Sequence, residues 1–74
     1  MNFDIAVKVE SFHHPVNTPA GTLEFQLSWV RLNAAGGGKY TISVLASRDI
    51  ADDLRQEVAT RLGVHHRRVL VLGV

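Results

Sequence analysis

A single stretch of this sequence has the spacing of a core-facing helix. Ile50, Leu54, Val58 and Leu62 recur every four residues, with Ala51 and Ala59 beside them, which makes an apolar stripe of the kind a surface helix buries. Asp49 is placed to cap it, because its carboxylate can accept a backbone N–H two or three residues on, and Asp52 adds negative charge to the first turn. Gly63 supplies the left-handed residue that ends the helix, and Val64 can fold back on the last turn. Glu57 and Arg61 form an i, i+4 pair on the exposed side. One helix can cover one face of a sheet, and that limit governs what the rest of the chain can do.

The remaining apolar residues read as strands. Phe3, Ile5, Val7 and Val9 alternate with Asp4, Ala6, Lys8 and Glu10, the period-two pattern of a strand with one wet face. Residues 11 to 21 contain Pro15, Asn17, Pro19 and Gly21 and read as a long connection. Leu23, Phe25, Leu27 and Trp29 alternate against Glu24, Gln26 and Ser28. Near Val30 the phase changes, and Arg31 falls on the apolar side, which a bulge or a second covered face would explain. The glycine-rich segment Asn33 to Lys39 leads into a third strand, Tyr40 to Ala46, so strands 2 and 3 are expected to form a hairpin. Val69 to Leu72 is an uninterrupted apolar run, expected to be covered on both faces or paired along an otherwise free edge.

The order is β-β-β-α-β. A right-handed crossover makes strand 4 parallel to strand 3, and a meander of strands 1 to 3 then sets strand 4 beside strand 1. The expected fold is α+β: a four-stranded mixed sheet in order 3-2-1-4 with one helix packed on one face, a single domain over residues 1–74. Val30, Leu32, Leu70, Leu72 and Val74 are then left on or near the face without a helix. Exposed apolar surface of that extent marks a protein interface, and a homodimer is the preferred expectation. Trp29 and Tyr40 are candidate anchors for it, with core packing an equally good account of Trp29.

Thr41-Ile42-Ser43-Val44, Asp49 to Leu62 with its terminal Gly63-Val64, and Arg68-Val69-Leu70-Val71-Leu72-Gly73 together resemble the strand, helix and third strand of ubiquitin-like β-grasp domains. With the hairpin from Leu23 onward, the resemblance covers about two-thirds of the chain. Such a fold continues into a further short strand and a final central one, for which strand 1 is the expected substitute. The conjugating members end in two glycines, whereas this sequence ends Gly73-Val74. The resemblance therefore implies a fold and the binding of proteins through a sheet face, and not conjugation chemistry.

Composition narrows the function classes. There is no cysteine, which removes disulfides, thiolate metal sites and cysteine nucleophiles together. The net charge is +1, and the halves divide mildly: residues 1–37 carry two basic and three acidic groups, residues 38–74 six and four. Duplex binders usually show a far more basic stripe. No segment approaches the roughly 20 apolar residues of a membrane span, and Met1 to Asp4 lacks a secretion pattern. A cytoplasmic bacterial or phage accessory protein suits these features.

The densest positive feature is His65-His66-Arg67-Arg68, reinforced by Arg61, a candidate anion-binding segment for phosphate or an acidic protein surface. No aromatic residue sits next to it in sequence to serve as a stacking platform. The pairs His13-His14 and His65-His66 are candidate metal ligands by type, but the topology sends them to opposite ends of the sheet, so no metal is expected. Gly36-Gly37-Gly38-Lys39 lacks the first glycine of a phosphate loop, carries Tyr40 where Ser or Thr would hold magnesium, and leads into a strand. Ser11, Ser28, Ser43 and Ser47 have no evident partnered base. The expectation is a non-enzymatic, cofactor-free protein-interaction module. The runner-up is a nucleic-acid-binding regulator using Arg61, His65, His66, Arg67 and Arg68.

Overall fold

The computed structural model describes residues 2–47 and 51–73. Three strands come first, β1 (Ile5–His13), β2 (Thr22–Arg31) and β3 (Tyr40–Ser47). They are followed by the helix α1 (Ala51–Leu62), a 3₁₀ turn at His66–Arg68 and β4 (Val69–Leu72). The sheet order is β3-β2-β1-β4. β1 pairs antiparallel with β2 and parallel with β4, and β2 pairs antiparallel with β3. The architecture is the α+β sheet-and-lid arrangement derived above. β1 fills the central place between β2 and β4.

The alternation of each strand puts its apolar set under the helix. Ile5, Val7, Leu27, Val44 and Val69 are fully buried with Leu54 and Val58 of α1. The register aligns these residues in rows: Ile5 lies beside Val69, Phe25 beside Val44, and Leu27 beside both Val9 and Ile42. Gly63 adopts φ +69°, and Val64 N–H donates to the Ala59 carbonyl at 3.1 Å, the six-to-one bond of a Schellman ending. Val64 also packs against the core. Asp49 and Ile50 lie outside the described residues, as does Val74.

Three expectations need correction. β1 runs on to His13, so the connection begins at His14 rather than Ser11. The reason is a bulge: Val9 faces Leu27 while Ser11 faces Gln26, leaving Glu10 as the extra residue, after which pairing resumes with Phe12 opposite Phe25. The irregularity expected near Val30 is thus on the neighbouring strand, and β2 itself is unbroken. Arg31 does fall on the helix side, where its guanidinium carbon lies 5.5 Å from the Trp29 ring centre, a cation–π contact that accounts for a charge on that face. Finally, Arg61 does not turn back to Glu57; it reaches the main chain of β3, as described below.

Candidate functional site

The face of the sheet opposite the helix divides into two unlike parts. Over its middle it is polar. Glu10 lies on this face, as its alternation with Val9 requires, and there Ser28 Oγ donates to Glu10 Oε2 at 2.7 Å and Lys39 Nζ approaches the same oxygen at 3.8 Å. The Ser28 hydroxyl, opposed in part by burial and supported by Lys8 and Lys39, holds the Glu10 carboxyl below the ordinary glutamate value. Ser43 donates to the Gln26 side chain, and His13 Nε2 lies 3.0 Å from Glu24 Oε1. The expectation of a broadly apolar second face is therefore too wide. An apolar row lies toward β4, where Val30, Ala6 and Leu70 are paired and Leu72 lies beside Lys8, and Leu45, opposite Glu24 at the β3 edge, is a separate exposed apolar residue on this face. Leu72 is 47% exposed.

Trp29 and Tyr40 are not part of this face. They face one another across β2 and β3 on the helix side, ring centres 4.7 Å apart, because their parity is that of Leu27 and Ile42. Trp29 packs on the core, and Tyr40 is half exposed above it. Leu32 follows β2 in the turn, exposed, with its N–H donated to the Asp4 carbonyl at 2.8 Å.

The two edges of the sheet are treated differently. In an antiparallel strand both main-chain groups of a residue point to the same side, and the side alternates. Ser47 N–H donates to Asp53 Oδ2 at 2.7 Å, and Arg61 Nη1 donates to the Ser43 carbonyl at 3.4 Å. Both groups belong to the outward set of β3, and both are covered by side chains from one flank of α1. A charged cover of this kind discourages pairing by another strand. On β4, Asp4 N–H donates to the Arg68 carbonyl at 2.9 Å, which fixes Arg68, Leu70 and Leu72 as the residues directed at β1. Val69 and Val71 are then directed outward. The Val69 N–H is taken up by the His66 carbonyl, and no described residue covers the N–H or C=O of Val71. Beside this open edge runs a shallow groove of about 180 Å³ lined by Phe3, Asp52, Arg55, Val69, Leu70 and Val71. Arg55 is paired with Asp52 through Nη2, while its Nε is buried without a partner among the described residues.

The basic segment is largely occupied with structure. Arg68 Nη1 lies 3.7 Å from Asp4 Oδ1 and 3.5 Å from the Asn2 carbonyl oxygen. Asp4 Oδ1 also accepts from Asn33 Nδ2 at 3.1 Å, so this carboxylate ties the start of β1 to the turn after β2 and to the 3₁₀ turn. His65 Nδ1 accepts the Arg67 N–H at 3.2 Å, and the His65 and His66 rings stack with centres 4.6 Å apart. Arg67 is exposed. Arg61 is turned to the β3 edge, away from a common anion site with Arg67 and Arg68. His13 ends β1 opposite Glu24, at the other end of the strand from Ile5 and Val69. Among the described residues no three His, Asp or Glu side chains form a group that could hold a metal ion.

Sequence reasoning missed the roles of Asp53, Arg55 and Glu10. The signals were the charges of Asp53 and Arg55 on the helix flanks and of Glu10 on the wet side of β1, which read as ordinary solvated positions. No helix among the described residues is long and apolar enough to cross a membrane. Comparison with known proteins finds no matching family model, no matching curated protein and no matching solved structure.

Proposed function

We propose that this protein is a small, non-enzymatic interaction module that docks a protein partner along the free edge of β4, with the apolar row Val30, Ala6 and Leu70 and the neighbouring Leu72 beside it. The observation that carries the reading is the difference between the edges among the described residues: α1 covers Ser47 N–H and Ser43 C=O of β3 with Asp53 and Arg61 and leaves the Leu45 groups between them uncovered, while no α1 side chain reaches the outward N–H and C=O of Val71 on β4, which lie beside apolar side chains. An open edge next to apolar side chains is what strand addition uses, the main chain supplying affinity and the flanking side chains specificity. The alternative, nucleic-acid binding through the basic segment, has less support, because Arg68 is engaged by Asp4 and Arg61 by Ser43.

The two readings separate in one experiment. Affinity-tagged wild type, Leu72→Asp and the double variant Arg67→Glu with Arg68→Glu are recovered from cells after mild cross-linking. The reading expects protein cross-links, to itself or to another chain, that survive the Arg double variant and vanish in Leu72→Asp. Co-purifying nucleic acid that is lost with the arginines, with protein cross-links indifferent to Leu72, overturns it.

A further inference from the structure

We infer that the occupant of the β4 edge is a second copy of this chain, paired antiparallel about a two-fold axis at Val71, so that two four-stranded sheets join into one of eight. The inference rests on the reading of β4 as the docking edge and names its partner. Three features of the edge are self-complementary.

The first is the main chain. Val71 presents both its N–H and its C=O outward, so two copies related by a two-fold axis exchange both bonds between Val71 and its symmetry mate. The second is the lidless face. Pairing about Val71 sets Leu70 of one chain opposite Leu72 of the other, twice. The apolar row Val30, Ala6 and Leu70 of each chain then abuts Leu72 of the other, and the two leucines from each chain cluster at the seam with the cross-strand contacts that stabilise sheets.

The third is charge. On the helix side the groove along β4 is flanked by one carboxylate, Asp52, and one guanidinium, Arg55. The two-fold axis brings acid toward base from each side of the seam. A strongly acidic or strongly basic partner would find no net charge to match here. A second copy finds its complement.

Sedimentation equilibrium on the purified full chain tests the inference. Wild type is expected to move from the 8.2 kDa of one chain to twice that mass as concentration rises through the micromolar range. Val71→Pro removes one outward N–H while leaving the Leu70 and Leu72 ladder to β1, a position where an edge strand tolerates proline. It is expected to weaken association at least about tenfold, with a circular dichroism spectrum like that of wild type. Asp52→Arg and Arg55→Glu each create like charges across the seam and are expected to be monomeric alone. Mixed in equal amounts they are expected to form a heterodimer, which an intrachain role for the Asp52–Arg55 pair would not produce. A strict monomer at high micromolar wild type overturns the inference, as does a dimer that is indifferent to Val71→Pro, or a mixture that fails to associate. If the wild type is monomeric yet keeps Leu72-dependent cross-links to another protein in cells, only the second copy is wrong. If both are absent, the docking edge itself is wrong.

Discussion

Arg61, in the last turn of the helix, donates to the carbonyl of Ser43 on the outer rim of β3, at 3.4 Å and across 18 residues of sequence. Asp53, on the same flank of the helix, does the matching service for the N–H of Ser47 at 2.7 Å. The helix is thus both a lid for the core and a guard for one edge. A strand edge without such a guard recruits other strands.

Removing the guard tests that role. Asp53→Ala is expected to cost about 1 kcal/mol, since it leaves a charge-assisted bond unmade at a partly exposed site. Arg61→Ala, an exposed and long contact, is expected to cost about 0.5 kcal/mol or less. The double variant is expected to aggregate faster than either single one under gentle agitation, monitored by light scattering alongside urea denaturation. Equal aggregation rates for wild type and the double variant would show that the two side chains guard nothing.

Glu10 makes acid stability predictable in sign. Its folded-state pKa is depressed, chiefly by the Ser28 hydroxyl, with Lys8 and Lys39 assisting against burial. A depressed folded value means the stabilisation is complete above the unfolded glutamate pKa of about 4.3 and is lost as pH falls through the folded value. Ser28→Ala is expected to raise the Glu10 titration midpoint, read from its carboxyl carbon shift by NMR. Glu10→Gln is expected to flatten the part of the acid limb that lies below pH 4.3. A midpoint unmoved by Ser28→Ala would remove the hydroxyl as the cause.

Gly63 isolates a backbone effect. A Cβ added there meets nothing within 4 Å, yet φ is +69°. Gly63→Ala is therefore expected to cost about 1 kcal/mol from the left-handed conformation alone, and Gly63→Asn less, because asparagine visits that region more readily. With total stability for a chain of this size on the order of 4 to 11 kcal/mol, chemical denaturation resolves the difference. A larger loss for Asn than for Ala would show that something other than the dihedral decides the site.

The readable part of this molecule was its periodic part. The four-residue recurrence of Leu54, Val58 and Leu62 located the helix, and Gly63 its end. Alternation located β1, β2 and β3, and the handedness of the crossover put β4 beside β1. Trp29 was ambiguous between core and surface, since its parity assigned it to the helix side while its size and polar edge suit an interface. The extent of apolar surface on the lidless face was overestimated. Val30, Leu70 and Leu72 do lie there, but the pairs Ser28–Glu10 and Ser43–Gln26 fill the middle with polar groups, with the exposed Lys8 beside them.

The sequence by itself determined where helix and strands lie, in what order they join, and which side chains they bury, because each of these follows from period and handedness along a short stretch of chain. Tertiary structure alone decided that Glu10 is the extra residue of a bulge, that Arg68 belongs to Asp4, and that the described α1 side chains cover two main-chain groups of β3 and none of Val71 on β4. Those outcomes depend on register between segments far apart in sequence. A shift of one residue would turn each side chain to the opposite face, and nothing local to either segment records which register the packed core selects.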